Sequence, residues 1–175
     1  ILSKEEQMIC ENIGIQRYNI NRQKGVKDKK IGKDDNYFVD INGFGGEFAL
    51  CKLFNIMPDF IVQVTQTNKD DYDALLFNCI SVDVKTTDVF TGRLLTPLWK
   101  IDKVDCYALM IGEIPRYTFK GFMLGEDLKK QNRLKDLGRG MNYAAEQNEL
   151  KELHDLYELD KIINTYPEYK KIPVL

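Results

Sequence analysis

The first polar cluster, Ser3-Lys4-Glu5-Glu6, has the spacing of a capping box: the serine hydroxyl accepts a backbone N–H while Glu6 reaches back. That spacing predicts a helix with Met8, Ile9 and Ile13 towards the core, weakening near Gly14. From Asn19 to Asn36 the chain is polar and lysine-rich, which reads as a surface loop. Gly43 to Gly46 then opens a second helix, from about Glu47 to Asn55, stopped before Pro58.

Beyond Pro58 the apolar period changes to two. Phe60, Val62 and Val64 alternate as in a strand, and Asp71 to Phe77 and Ile80 to Thr87 predict two more, joined by a short turn around Asn78. Asp88 to Lys103, with Gly92 and Pro97, reads as irregular. Val104 to Ile111 is almost continuously apolar, the mark of a strand covered on both faces. Tyr117 to Leu124 predicts a further strand, and Asp127 to Leu137 and Glu149 to Ile163 predict helices. The order implies one α+β or α/β domain over residues 1–175, a central mixed sheet flanked by helices.

Composition narrows the function classes. With 43% hydrophobic and 30% charged residues in 175, the chain can build a core. No run of about 18 apolar residues predicts a membrane span, so no membrane partner is expected. The opening residues lack the basic, apolar and small-residue succession of a leader, and Cys10, Cys51, Cys79 and Cys106 form no CxxC pair. A reduced, cytoplasmic protein is expected. His154 is the only histidine, which excludes His-rich metal sites, HNH-type nuclease motifs and HExxH proteases. Its neighbours Leu153, Asp155 and Leu156 place it on a helix surface rather than in a catalytic triad. Chemistry, if present, falls to carboxylates, lysine and a hard metal ion.

Those residue types converge on one hairpin. On a strand over Ile80 to Thr87, Asp83 and Lys85 point to one face and Val82 and Val84 to the other. A turn centred on Asn78 sets Asp73 opposite Asp83, with Cβ atoms roughly 5 Å apart. Two such carboxylates repel unless a cation lies between them, and Mg²⁺ or Mn²⁺ is the natural occupant. The arrangement requires an odd-membered turn such as Phe77 to Cys79, or a bulge; a two-residue turn at Asn78-Cys79 would turn Asp73 to the wrong face. Glu47 shares a helical stripe with Leu50, Cys51 and Phe54, which carries a third carboxylate towards the sheet. A first-turn glutamate serving the helix dipole is the simpler reading of the same residue.

Asp73, then Asp83-Val84-Lys85 on a second strand, preceded by a helix-borne Glu47, resembles the PD-(D/E)XK nuclease superfamily with its restriction-endonuclease-like fold. The run DYDALLFNCISVDVKTT carries the resemblance, and VDCYALMIGE followed by YTFKGFMLGEDL extends it loosely over positions 40 to 130. Tyr72 stands where many members have proline. The resemblance implies Mg²⁺-dependent phosphodiester hydrolysis. It assigns Asp73, Asp83, the Val84 carbonyl and Glu47 to the metal, and makes Lys85 the catalytic lysine beside those three carboxylates.

A net charge of −2 does not suggest a general DNA-coating protein, so contacts would have to be local. Thr86 and Thr87 follow the catalytic lysine directly and could donate to phosphate oxygens. Arg93 and Lys100 lie in the irregular stretch after the strand, where a loop could clasp substrate. Lys129, Lys130 and Arg133 form a basic run with Lys135 and Arg139. Another run comprises Lys24, Lys27, Lys29, Lys30 and Lys33; each run is more often a solvated face than a phosphate site. Trp99 could stack on a base, but beside Leu98 and Ile101 it reads as core. The expectation is a small nuclease with DNA as its nucleic-acid partner, a homodimer or a larger assembly being open. The alternative is an inactive member of the fold that binds nucleic acid or protein, and a third reading is a metal-free acid–base hydrolase.

Overall fold

The computed structural model describes residues 1–23, 36–62, 72–137 and 140–155. Helix α1 (Lys4–Gln23) starts from the expected capping box, with Ser3 N donating to Glu6 Oε2 at 2.5 Å and Glu6 N to Ser3 Oγ at 3.3 Å. It does not weaken at Gly14, and Met8 and Ile9 are exposed rather than buried. Cys10, Ile13, Gly14 and Arg17 form the inward stripe instead. Gly14 lies there because a Cβ would collide with the backbone of Ile41 on the next helix. The supposed loop from Asn19 therefore begins as helix, and Lys24, Lys27, Lys29, Lys30 and Lys33 lie outside the described residues.

Helix α2 (Asn36–Leu53) is longer than the glycines suggested, because they sit inside it. A side chain at Gly45 would run into Tyr117, and one at Gly46 into Thr86. The glycines cost helix propensity, about 1 kcal/mol each, yet let α2 lie close against the sheet. Tyr117 Oη donates to Asn42 Oδ1 at 2.7 Å and Asn42 Nδ2 to the Gly112 carbonyl at 3.1 Å, so α2 is also tied to the strands by hydrogen bonds.

The principal sheet contains β1 (Ala74–Leu76), β2 (Ile80–Thr87), β4 (Cys106–Glu113) and β5 (Arg116–Leu124), in that order. It is mixed: β2 and β4 run parallel, while the other two pairs are antiparallel. One face, with Val82, Val84, Ala108 and Met110, packs on Leu50 and Cys51 of α2. The other, with Tyr107, Leu109, Ile111 and Met123, packs on a second core containing Leu94, Ile101, Leu128 and Tyr143. Strand β4 is buried throughout its first six residues, as its apolar run predicts. The fold is thus α+β, a mixed sheet flanked by helices.

A second, antiparallel sheet is absent from the sequence-based expectation. It consists of β3 (Leu94–Pro97), β7 (Met141–Ala145) and β6 (Leu134–Asp136), in that order. Pro97 is compatible with β3 because that strand lies at an edge. In place of a helix over Asp127–Leu137 stand the short α3 (Gly125–Leu128), a 3₁₀ turn and β6. Phe60 and Val62 belong to no strand, while Val64 and most of Glu149–Ile163 lie outside the described residues. Trp99 and Leu98 are exposed, and only Ile101 of that trio enters the core. The four cysteines are buried free thiols, and His154 is exposed. Among the described residues no helix is long and apolar enough to cross a membrane.

Candidate active site

The hairpin turns through Phe77–Cys79, the odd-membered connection that the carboxylate pair requires. It pairs Ala74 with Val82, Leu75 with Ser81 and Leu76 with Ile80. Without glycine, Phe77 (φ 52°) and Asn78 (φ 60°) themselves take the left-handed conformation. Carried one step further, this register brings Asp73 alongside Asp83. There the chain bends: Asp73 N donates to the Val82 carbonyl at 2.8 Å, and Asp73 Oδ2 accepts the Val84 N–H at 2.7 Å. The carboxylate takes up, at the strand edge, the amide of Val84, the residue between Asp83 and Lys85 in the chain.

Asp83 is 2% exposed, although it is charged. Burial of that kind requires partners, and Asp83 has two amines. Lys85 Nζ is in ion contact with Oδ2, and Lys100 Nζ lies 3.0 Å from Oδ1. Both carboxylate oxygens of Asp83 thus face an ammonium inside the protein. Lys100 comes from the 3₁₀ turn after β3, and its backbone carbonyl accepts Tyr107 Oη at 2.6 Å.

Glu47 lies in the middle of α2, which removes the helix-dipole reading. Its stripe does turn towards the sheet, with Leu50 and Cys51 in the core shared with Val82 and Val84. Arg17 of α1 donates to Glu47 Oε2 at 2.7 Å and reaches the Asp59 carbonyl at 3.2 Å. The guanidinium also lies over the Phe44 ring, 4.6 Å from its centre.

These acids feel one another. Burial pushes Glu47 up to about 8, helped by the charge of Asp73 and opposed by Arg17. Burial pushes Asp73 up to about 6, helped by the charge of Asp83 and opposed by the Val84 N–H, Lys85 and Lys100. Burial draws Lys100 down, but Asp83, Asp73 and Glu47 outweigh it and hold its ammonium above the usual lysine range. The site is therefore a partly desolvated cluster of Glu47, Asp73 and Asp83 facing Arg17, Lys85 and Lys100.

Among the described residues, no group of three or more His, Cys, Asp and Glu side chains closes into a cage for an ion. Magnesium does not demand one: it is held by one or two carboxylates, waters and substrate phosphate. The all-oxygen donor set of Asp73, Asp83 and Glu47 suits such a hard cation by its chemistry. Asp73 and Asp83 would hold it, with the Val84 backbone between them and Glu47 behind.

Lys85 opens onto a groove of about 580 Å³, bounded by Thr87, Arg93, Val39 and Gly43. Asp73 lines a separate cavity of about 390 Å³ with Asp59, Met57 and Tyr72. Of the expected nucleic-acid contacts, Thr86 and Thr87 border the groove, but the Thr86 hydroxyl is buried against Gly46 and has no hydrogen-bond partner among the described residues. Arg93 lies in the groove wall and pairs with Glu146 at 3.1 Å. Lys129, Lys130 and Arg133 line neither cavity: they pair with Asp102, Asp127 and Glu149 at 2.6, 2.8 and 2.9 Å. Arg139 lies outside the described residues.

Sequence reasoning missed Arg17 and the pairing of Lys100. Arg17 falls on the inward stripe of α1, one turn after Ile13 and Gly14, which was the available signal.

Compared with known proteins, residues 1–114 match a family model described as "Family of unknown function (DUF5843)". No curated protein and no solved structure matches the chain.

Proposed function

Because the chain belongs to DUF5843, a family of unknown function, its chemistry has to be argued from the site, and we propose that it is a Mg²⁺- or Mn²⁺-dependent nuclease of restriction-endonuclease-like fold that hydrolyses phosphodiester bonds in DNA. The observation that carries this reading is the hairpin itself. A three-residue turn and a bend at Asp73 bring its carboxylate onto the amide of Val84, the residue that separates buried Asp83 from Lys85 in β2. Holding like charges together in a desolvated place is unfavourable, which argues for a cation as their shared ligand. When bound, the ion supplies Lewis-acid polarisation of a phosphate oxygen.

The chain's own residues supply the rest. Asp73 and Asp83 present oxygen ligands from adjoining strands. Lys85 reaches the groove from the same strand as Asp83 and neutralises charge developing on the phosphate. Glu47, oriented by Arg17, accepts a hydrogen bond from the attacking water and sets its direction. Four buried free thiols fit work in a reducing compartment such as the cytoplasm.

One observation favours a second reading, an inactive binding module of the same fold. Asp83 and Glu47 already have cationic partners within the protein, an arrangement that is neutralised without any metal. Divalent-ion binding that depends on Asp73 and Asp83 separates the two readings, because the module has no use for it.

The test is cleavage of supercoiled, linear duplex and single-stranded DNA with Mg²⁺ or Mn²⁺ by wild type and Lys85→Ala. Metal-dependent cutting is expected, falling by about 10²–10³-fold in the variant. Equal cutting by both proteins assigns the activity to another site or a contaminant. No cutting by either transfers the reading to the binding module.

A further inference from the structure

Asp83 has two cationic partners within the protein. Lys85 faces Oδ2 and Lys100 faces Oδ1, so both oxygens are occupied by amines. Each oxygen has a further lone pair for an ion, but a divalent ion and an ammonium on one buried carboxylate are two positive charges a few ångströms apart, and they repel. Entry of an ion at either oxygen therefore favours release of an amine.

The two lysines are not equivalent. Lys85 lies within the eight-residue β2, paired by register with Leu109 of β4, and its side chain is 23% exposed. Lys100 ends a three-residue 3₁₀ turn, and its side chain is 35% exposed. Its neighbour Trp99 is 66% exposed, with the Lys100 ammonium 5.8 Å from the ring centre. An ammonium leaving Asp83 can thus remain near an aromatic face at the solvent boundary. The backbone of Lys100 stays anchored through Tyr107 Oη, so release moves the side chain and leaves the turn in place.

We infer that Lys100 is a built-in competitor for the divalent ion: it occupies Asp83 Oδ1 in the metal-free protein and swings away as metal binds. The inference rests on Asp83 being a metal ligand, as in the proposed function, and assigns Lys100 a regulatory, positioning role that the hairpin residues do not have. It makes cation affinity a property of the 3₁₀ turn as well as the hairpin.

The experiment measures Mn²⁺ binding to the full chain, by the loss of the free-ion electron paramagnetic resonance signal, for wild type, Lys100→Met, Lys100→Gln and Lys100→Arg. Thermal melting of each is recorded with and without Mn²⁺. Lys100→Met keeps the aliphatic stem and removes the charge, and Lys100→Gln provides a polar variant should the first fold poorly. Both are expected to bind Mn²⁺ at least tenfold more tightly than wild type and to show a larger Mn²⁺-induced rise in melting temperature. Lys100→Arg is expected to bind as weakly as wild type. Equal or weaker binding by both neutral variants, or no binding by either, overturns the inference. Tighter binding without any DNA cleavage upholds it while overturning the nuclease reading. Cleavage by wild type with unchanged ion affinity in the neutral variants does the opposite.

Discussion

Asp73 and Val84 are joined by a hydrogen bond from the Val84 amide to the Asp73 carboxylate, 2.7 Å long, and this contact gives the candidate site its shape. It replaces the next rung of the β1–β2 ladder with a side chain. The carboxylate thereby gains a fixed position at the sheet edge, and the Val84 amide gains an acceptor.

This double role makes Asp73 informative to mutate. Asp73→Ala leaves the Val84 amide without its acceptor and is expected to cost about 1–3 kcal/mol. Asp73→Asn retains an acceptor oxygen and removes a charge that repels Asp83, so its stability should stay near that of wild type. Both changes should abolish ion binding. Urea unfolding of the two variants checks the first point, and Mn²⁺ titration the second. Equal stability of the two variants would show that the Val84 contact contributes little.

The hairpin was legible because its signals are local. Alternating valines around Asp83, an acidic residue before the turn and the stripe from Glu47 to Phe54 all lie within one or two adjacent elements. The partners were harder to read. Arg17 lies 30 residues before Glu47, and Lys100 lies 17 after Asp83 across an intervening strand. Neither separation has a period to reveal it. The length of α2 was hidden for another reason: Gly43, Gly45 and Gly46 resemble a helix boundary by propensity, while tertiary packing of Gly45 on Tyr117 and Gly46 on Thr86 overrides that preference. The second sheet escaped notice because β3, β6 and β7 are short and one of them contains Pro97.

The glycine contacts yield their own prediction. Gly46 precedes Glu47, and any Cβ there collides with the Thr86 side chain on β2. On an isolated helix, glycine to alanine would be stabilising by about 1 kcal/mol. Here Gly46→Ala should instead destabilise by about 1–3 kcal/mol through overpacking, and shift Glu47 away from Asp73. Gly43→Ala, where a Cβ meets nothing within 4 Å, is the control and should be neutral or stabilising. Chemical denaturation of the pair decides the matter: if Gly46→Ala is as stable as Gly43→Ala, close approach of α2 to the sheet is not what keeps glycine there.

The raised acids set the pH dependence, and its sign follows from their direction. Glu47 at about 8 and Asp73 at about 6 both lie above their unfolded values, near 4.3 and 3.9. Between about pH 4 and about pH 8 the native state thus holds protons that the unfolded chain has released, and stability from these groups falls as pH rises. Glu5, Glu6, Asp127 and Glu149 are shifted down, so their contributions are lost only in acid, outside that window. A divalent ion must expel the retained protons to bind, and it then relieves the repulsion that raised them. The rise in melting temperature produced by Mg²⁺ should therefore be small near pH 5 and grow up to about pH 8, with the growth reduced in Glu47→Gln and absent in Asp73→Asn. Differential scanning fluorimetry with and without Mg²⁺ across this range measures it. A Mg²⁺ effect independent of pH, or one unchanged in Asp73→Asn, would place the ion away from these carboxylates.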